Sequence, residues 1–534
     1  VSGWASPAPV TPTDYATHTP LDHRRRWGQF FTPEPIARWM ADWALQAGPR
    51  TLLDPAAGTG TLIGACLSHP RFDPTTRIVA YEADPHIADA LQRNLDHWRA
   101  SQVEVRLRDF LLDRDESRYD AIICNPPYIR HRQLADRREL YRAFATRWRI
   151  RLSAFSNSYV LFALAIAGRL SARGRAAILT PSDYLNANFG APLREALLRE
   201  QLIDGIVLFD HARLVFADAN IATALLLLRA DRAAGEPIRF VHLHDESELA
   251  PLESLPPAST TLLAPTSLTH GEKWLPRFPR LAAAPTFLPD RRVTQLGMIA
   301  DVRRGIATGA NDYFTLSQSE RERAGLDMTQ VRPCVTRATH APRLRFTGAD
   351  FQRLIADGAR VWLLDARDSR DPAVQRYLME GLRRGIDQRF LSAHRDPWYA
   401  AEPKPIAPLW INAFSRNGFR CVINDAGVAQ LTAFHGIYSR TMSHDDLLIL
   451  AAFLNSRHGA AAITREQRTL GNGLAKLEPG DVAALRVPDP ARLPESFRRA
   501  LIDLYTARCA AERCDAGTAR HSADEIDRLW AEQL

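Results

Sequence analysis

Thr51-Leu52-Leu53-Asp54-Pro55-Ala56-Ala57-Gly58-Thr59-Gly60-Thr61-Leu62-Ile63-Gly64-Ala65-Cys66-Leu67 decides the fold of the first half of the chain. A short apolar run ends on an acidic residue, passes through a glycine turn and resumes as an apolar helix. Glycines at 58 and 60 let the backbone turn tightly and let a ligand approach main-chain amides that a Cβ would shield. Asp54, Ala56, Gly58 and Gly60 are therefore candidate binding positions, although a GxG turn alone is equally compatible with a structural loop. The flanks extend the pattern. From Arg50 to Arg229 short β-rich apolar runs alternate with longer amphipathic stretches, as expected of a doubly wound α/β domain. Candidate strands cover residues 51–53, 77–81, 103–107, 120–124, 176–179, 206–209 and 224–228.

The ends of these strands carry the chemistry. Glu82 closes the second, roughly twenty residues beyond Gly60, the spacing at which a carboxylate reaches both hydroxyls of a ribose. Asp109-Phe110 follows the third and offers a carboxylate for an adenine amino group and an aromatic face for its ring. A nicotinamide-type GxGxxG turn would show a third glycine, and Ile63 stands there instead. The combination resembles the class I methyltransferases, whose Rossmann-like seven-stranded sheet carries S-adenosylmethionine across its carboxyl edge. The resemblance implies that Glu82 holds the ribose and Asp109-Phe110 the adenine.

Asn125-Pro126-Pro127-Tyr128 directly follows the fourth strand, at the same edge. An exocyclic amino nitrogen on a nucleobase is planar, its lone pair delocalised into the ring, and is a poor nucleophile. Asn125 can accept one amino hydrogen through its amide oxygen while the Pro126 carbonyl accepts the other. The nitrogen is thereby drawn towards a tetrahedral shape with its lone pair aimed at the methyl donor. Pro126 and Pro127 preset this acceptor geometry, and Tyr128 offers a ring for the base to stack on. No metal or general base is required, because the cofactor brings an activated methyl. The tetrapeptide is characteristic of amino-methyltransferases acting on planar nitrogens: DNA adenine enzymes, protein glutamine enzymes and ribosomal RNA guanine enzymes. Flanking segments must choose among them.

Gly28-Gln29-Phe30-Phe31-Thr32-Pro33 precedes the first strand and leads into an amphipathic helix. It resembles the segment that γ-class adenine DNA methyltransferases of restriction-modification type close over the methionine end of the cofactor, which implies that Thr32 contacts the cofactor. Leu214-Val215-Phe216 lies where that class places an aromatic ring against an extruded adenine, so Phe216 joins the tetrapeptide as a candidate catalytic residue. The second half resembles the target-recognition regions of the same class, notably at 304–314 and 468–474. Basic stretches at Arg24-Arg25-Arg26 and from Arg130 to Arg151 are candidates for phosphate contacts, which give affinity without reading sequence.

The chain has 534 residues with a net charge of +7, enough for two or more domains and compatible with a polyanionic partner. The expected division is an S-adenosylmethionine-dependent domain over 1–245 and a mixed α+β target-recognition domain over 246–534, the Pro- and Ser-rich stretch 248–289 acting as connector and the end from Glu495 reading as helical. The six cysteines are scattered, with no spacing for a zinc site, so no metal is expected. No apolar run approaches the ~20 residues of a membrane span, and Val1–Pro20 lacks the features of a secretory signal. A cytoplasmic monomer acting on double-stranded DNA is therefore expected, with no membrane contact and with a separate endonuclease or defence-complex subunits as compatible partners. No cleavage is expected of the chain itself, since the segment before Gly28 contains no lysine for a nuclease centre. Adenine N6 is the expected target, cytosine N4 being chemically similar. An RNA or protein amino-methyltransferase and a noncatalytic DNA-recognition or scaffold subunit are the alternatives.

Overall fold

A computed structural model describes residues 9–129, 138–152, 156–209, 222–279, 292–367, 369–439, 441–469 and 474–533. The chain forms two compact units, the first of residues 1–283 with the short segment 468–473, the second of 284–467 with 474–534.

The first unit is built on one nine-stranded sheet: β1 (Thr51–Asp54), β2 (Arg77–Glu82), β3 (Val103–Leu107), β4 (Tyr119–Cys124), β5 (Leu170–Pro181), β6 (Ile203–Phe209), β7 (Thr223–Arg229), β8 (Ile238–Leu243) and β9 (Thr260–Leu263). Their spatial order is β3-β2-β1-β4-β5-β7-β6-β8-β9. β1 to β5 run parallel, and β7 is antiparallel to both β5 and β6. The helices are α1 (Pro12–His18), α2 (Leu21–Trp27), α3 (Glu34–Leu45), α4 (Thr61–Leu67), α5 (Pro85–His97), α6 (Arg138–Trp148), α7 (Ser158–Ala167) and α8 (Ala191–Arg199).

Both faces of this sheet are covered, which is why the central strands read as near-continuous apolar runs. Leu52, Ile78, Ala80, Ala121, Ile123, Ala177 and Leu179 pack on one face against α3 and α4. Their neighbours Leu53, Val79, Ile122, Cys124, Ala176 and Ile178 face the other side, against α7 and α8. Nearly every α7 side chain is buried, so its sequence is apolar all round rather than striped. Because β1 to β4 run parallel, Asp54, Glu82, Asp109 and Asn125 arrive at one sheet edge.

All seven expected strands are present, and β8 and β9 extend the sheet. The boundary expected at 245/246 falls inside the first unit. β9 lies within the expected connector and pairs with β8, Val241 opposite Thr260. Trp274 and Phe278 are fully buried, with ring centroids 5.8 and 5.0 Å from that of Phe240. β9 is a four-residue edge strand among Pro-led 3-10 turns, which masks any period-2 signal.

In the second unit a five-stranded sheet orders 300–304, 434–439, 409–412, 421–424 and 345–346, beside a four-stranded sheet of 315–316, 362–364, 331–335 and 429–430. The expected helical end is present as Glu495–Ala511 and Ala516–Gln533, anchored by a fully buried Trp530 between Phe453 and Phe497. Among the described residues no single helix is long and apolar enough to cross a membrane, and no His, Cys, Asp and Glu cluster could hold a metal ion. The adjoining helices 444–454 and 457–466 meet at a 75° bend and contribute to the unit's core.

Candidate active site

The glycine turn is shaped by left-handed backbone at Gly58 (φ 57°) and Gly60 (φ 86°), where an L side chain is strained. Gly60 caps α4, and a Cβ there would come within 2.9 Å of Leu91 Cδ1. The Gly58 amide donates to Glu82 Oε2 at 2.8 Å, and the Asp84 amide donates to Glu82 Oε1 at 2.8 Å. Burial holds the Glu82 carboxyl above its ordinary range despite these two donors. Asp54 is fully buried. Its Oδ1 accepts the Ala56 amide at 3.1 Å, while Oδ2 has no hydrogen-bond partner. Burial pushes this carboxyl up to about 7, and the charge of Glu82 pushes the same way.

Asp109 Oδ1 accepts the Leu111 amide at 2.9 Å and caps the turn carrying Phe110. The Phe110 ring is wedged against Phe162 of α7 (5.6 Å), Tyr81 (5.2 Å) and the Arg169 guanidinium (4.2 Å). It therefore forms a fixed wall, with one face already occupied by a cation.

At the end of β4, Asn125 Nδ2 donates to the Phe30 carbonyl at 2.6 Å and to Thr32 Oγ1 at 3.1 Å. A carbonyl can only accept, so the amide cannot be turned over, and Asn125 Oδ1 is left buried with no partner. The Tyr128 amide donates to the Gly28 carbonyl at 3.1 Å, and its hydroxyl donates to the Leu179 carbonyl at 3.2 Å. The Tyr128 ring lies 5.2 Å from Phe30 at 31°. Gly28 has φ 64°, and a Cβ on it would stand 2.6 Å from the Tyr128 nitrogen. The segment 27–33 is thus a strap laid directly on the tetrapeptide.

Strap, glycine turn and strand ends enclose a cavity of about 120 Å³. Of the sequence-derived candidates, Thr32, Ala56, Gly58, Glu82, Asp109, Phe110, Asn125 and Pro127 border it, while Asp54, Gly60, Pro126 and Tyr128 stand outside its lining. A larger groove of about 1150 Å³ shares Gln29, Phe30, Phe31, Thr32, Thr59 and Thr61 with the cavity but contains neither Glu82 nor Asp109. The smaller cavity, where the carboxylates converge, is the candidate site.

Phe216, Arg130, Arg132 and Arg137 lie outside the described residues, as do residues 470–473. Arg138, Arg142, Arg147, Arg149 and Arg151 are exposed. The glycines of 304–314 serve packing: a Cβ on Gly305 would meet the Leu431 carbonyl at 2.1 Å and one on Gly309 the Leu391 Cβ at 2.9 Å. Tyr313 and Phe314 of the same stretch are core residues, at 0% and 2% exposure.

Sequence reasoning did not find Ile87, Ser158 and Phe162, which also line the cavity. It also missed Asp84, whose Oδ2 accepts from His23 Nε2 at 2.8 Å and Gln29 Nε2 at 2.7 Å and so ties strap to sheet edge. The contact between α7 and the tetrapeptide bridges 31 residues, beyond any local motif. The one local sign was an Asn-Ser helix start ahead of an apolar run at 157–158.

Residues 17–256 match the family described as N-6 DNA Methylase, and residues 283–521 match the C-terminal domain of the type II methyltransferase M.Eco57I. Type II methyltransferase M.AccI of Acinetobacter calcoaceticus is 30% identical over 92% of this chain and 91% of its own length. M.XamI of Xanthomonas campestris pv. amaranthicola is 28% identical over 88% of this chain and 86% of its own. Among solved structures, the type IIL restriction-modification enzyme MmeI in complex with DNA shares the fold at a TM-score of 0.59 and 12% identity, over 97% of this chain and 77% of that one. Coverage of nearly the whole chain at this identity, with the strand-end carboxylates and the Asn-Pro-Pro-Tyr turn in place, shows that the protein belongs to the type II methyltransferases.

Proposed function

We propose that the protein transfers a methyl group from S-adenosylmethionine to N6 of adenine in duplex DNA, after the base is turned out of the helix, within a restriction-modification system. The observation that carries this reading is Asn125: its amide nitrogen is tied to Phe30 and Thr32 while its buried oxygen has no donor. An unpartnered buried acceptor costs stability unless a ligand supplies the missing hydrogen, about 1–3 kcal/mol. An exocyclic amino group is such a donor.

The residues around the cavity fit the cofactor. Glu82 has lone pairs beyond the two that its amide donors use, enough for ribose hydroxyls. Asp109 and the wall of Phe110, Phe162 and Ile87 suit an adenine, with the Asp109 carboxylate taking its amino group. Thr32, which borders the cavity beside Asn125, suits the methionine end. When bound, S-adenosylmethionine supplies a methyl group already activated on a sulfonium. The chain's own task is positional. Asn125 Oδ1 and the Pro126 carbonyl take the two amino hydrogens and pyramidalise the nitrogen, and the proton lost on transfer leaves through one of these acceptors. Tyr128, backed by Phe30, braces the extruded base.

Support for DNA comes from the N-6 DNA Methylase match across the catalytic half and from the exposed arginines of α6 that follow the tetrapeptide. A separate endonuclease would supply cleavage. Incubation with unmethylated duplex DNA, then mass spectrometry of the nucleosides, tests the assignment. N6-methyladenine is expected, and N4-methylcytosine or labelling of RNA or protein in its place would overturn it.

A further inference from the structure

Two consecutive prolines remove two backbone donors from the turn at 126–127, so the catalytic tetrapeptide cannot hold itself by its own amide hydrogen bonds. Its shape must come from outside. On one side the strap supplies the Gly28 and Phe30 carbonyls. On the other stands Ser158, the first residue of α7, at 1% exposure. The Ser158 hydroxyl donates to the Pro127 carbonyl and accepts the Ile129 amide at 3.0 Å, while the Ser158 amide donates to the Ile129 carbonyl at 3.1 Å. Two of these hydrogen bonds thus fix both peptide groups flanking Tyr128, and the third fixes the peptide group that follows Ile129.

We propose that Ser158 is a positioning residue for methyl transfer, setting the rotation of the Asn125–Tyr128 turn and thereby the direction of its acceptors. By engaging the Pro127 carbonyl, Ser158 dictates which carbonyl the turn presents: the Pro126 carbonyl is left to meet the amino group. The frame that Ser158 belongs to is rigid, since α7 is buried along its length between sheet and core. The same helix places Phe162, four residues on and on the same face, against Phe110 in the cofactor cavity. One helix therefore registers the acceptor turn against the cofactor wall.

This inference rests on the proposed role of Asn125, and its test keeps the two apart. Single-turnover methylation of duplex DNA, cofactor affinity and fluorescence of a 2-aminopurine placed at the target base are measured for wild type, Ser158→Ala, Ser158→Thr and Asn125→Ala. Ser158→Ala is expected to slow methylation about 10- to 100-fold while cofactor affinity and the base-extrusion signal hold. Ser158→Thr, which keeps the hydroxyl, is expected to restore most of the rate. A wild-type rate in Ser158→Ala, or loss of rate matched by an equal loss of cofactor affinity, would overturn the proposal. If Ser158→Ala does not fold, Ser158→Cys decides in its place: a reduced rate with intact cofactor binding supports the clamp, and a wild-type rate refutes it. Full activity in Asn125→Ala would instead remove the catalytic assignment itself, whatever Ser158 does.

Discussion

Substituting Asp54→Asn should stabilise the cofactor-free protein, and increasingly so as pH rises. The Asp54 carboxyl is buried, holds one amide hydrogen bond and leaves Oδ2 without a partner. Burial pushes it up to about 7, with the neighbouring Glu82 charge acting in the same direction. In the unfolded chain the same group titrates near ~3.9. Below about pH 4 both states keep the proton and Asp54 costs nothing. Between about 4 and 7 the unfolded chain releases a proton that the folded chain retains, so stability falls with rising pH by roughly 1.4 kcal/mol per pH unit. The total approaches ~4 kcal/mol above pH 7, a large share of the ~5–15 kcal/mol that holds a typical domain. Asparagine keeps the acceptor for the Ala56 amide and cannot ionise. Urea unfolding of wild type and Asp54→Asn at pH 5, 6, 7 and 8 reads the difference directly, because every other titrating group is common to both. The variant should gain on wild type by roughly 1.4 kcal/mol per pH unit from 5 towards 7 and level off between 7 and 8. A difference independent of pH, or one that shrinks towards pH 8, would refute the assignment of Asp54 as a buried, unpaired acid.

Thr32→Val removes one of the two acceptors that orient the Asn125 amide while conserving size. Turnover should fall roughly 3- to 10-fold at saturating cofactor, with recovery in Thr32→Ser, because a hydrogen bond of about 0.5–1.5 kcal/mol is lost from the transition state. Equal KM and kcat in wild type and Thr32→Val would contradict the orienting role. Gly28→Ala puts a Cβ 2.6 Å from the Tyr128 nitrogen at φ 64° and should cost about 1–3 kcal/mol along with most activity, checked by thermal melting and methylation. Unchanged melting would mean that the strap does not press on the tetrapeptide. Glu82→Gln should weaken cofactor binding about 10- to 100-fold by calorimetry, the worth of charge-assisted hydrogen bonds, and no change would exclude Glu82 from the ribose.

Much of the first unit was legible because its central strands are covered on both faces and so announce themselves as apolar runs such as Ile122-Ile123-Cys124. β8 and β9 gave less. β9 is a half-exposed edge strand of four residues embedded in proline turns, and its pairing with β8 is decided by tertiary contact rather than by its own pattern. The site divides in the same way. Glu82, Asp109 and Asn125 are each the residue at or just past the end of a parallel strand, and that position is written in the local sequence. Ser158, Phe162 and Asp84 act through contacts made across the fold, to Pro127, Phe110 and Gln29 respectively, and a single sequence carries no sign of such pairings. The glycines of 304–314 are likewise set by packing across the fold. Gly305 is required by the Leu431 carbonyl, which leaves no room for a Cβ, and a single sequence does not show that contact.

The most direct test of the central claim, that the buried partnerless oxygen of Asn125 is the acceptor that prepares the amino group, is the single-turnover rate of Asn125→Ala at saturating S-adenosylmethionine, measured on duplex DNA alongside cofactor affinity. A rate at least ~100-fold below wild type with unchanged cofactor affinity is the predicted result, as for loss of a preorganised donor or acceptor at the reacting centre. N6-methyladenine formed by Asn125→Ala at the wild-type rate would contradict it.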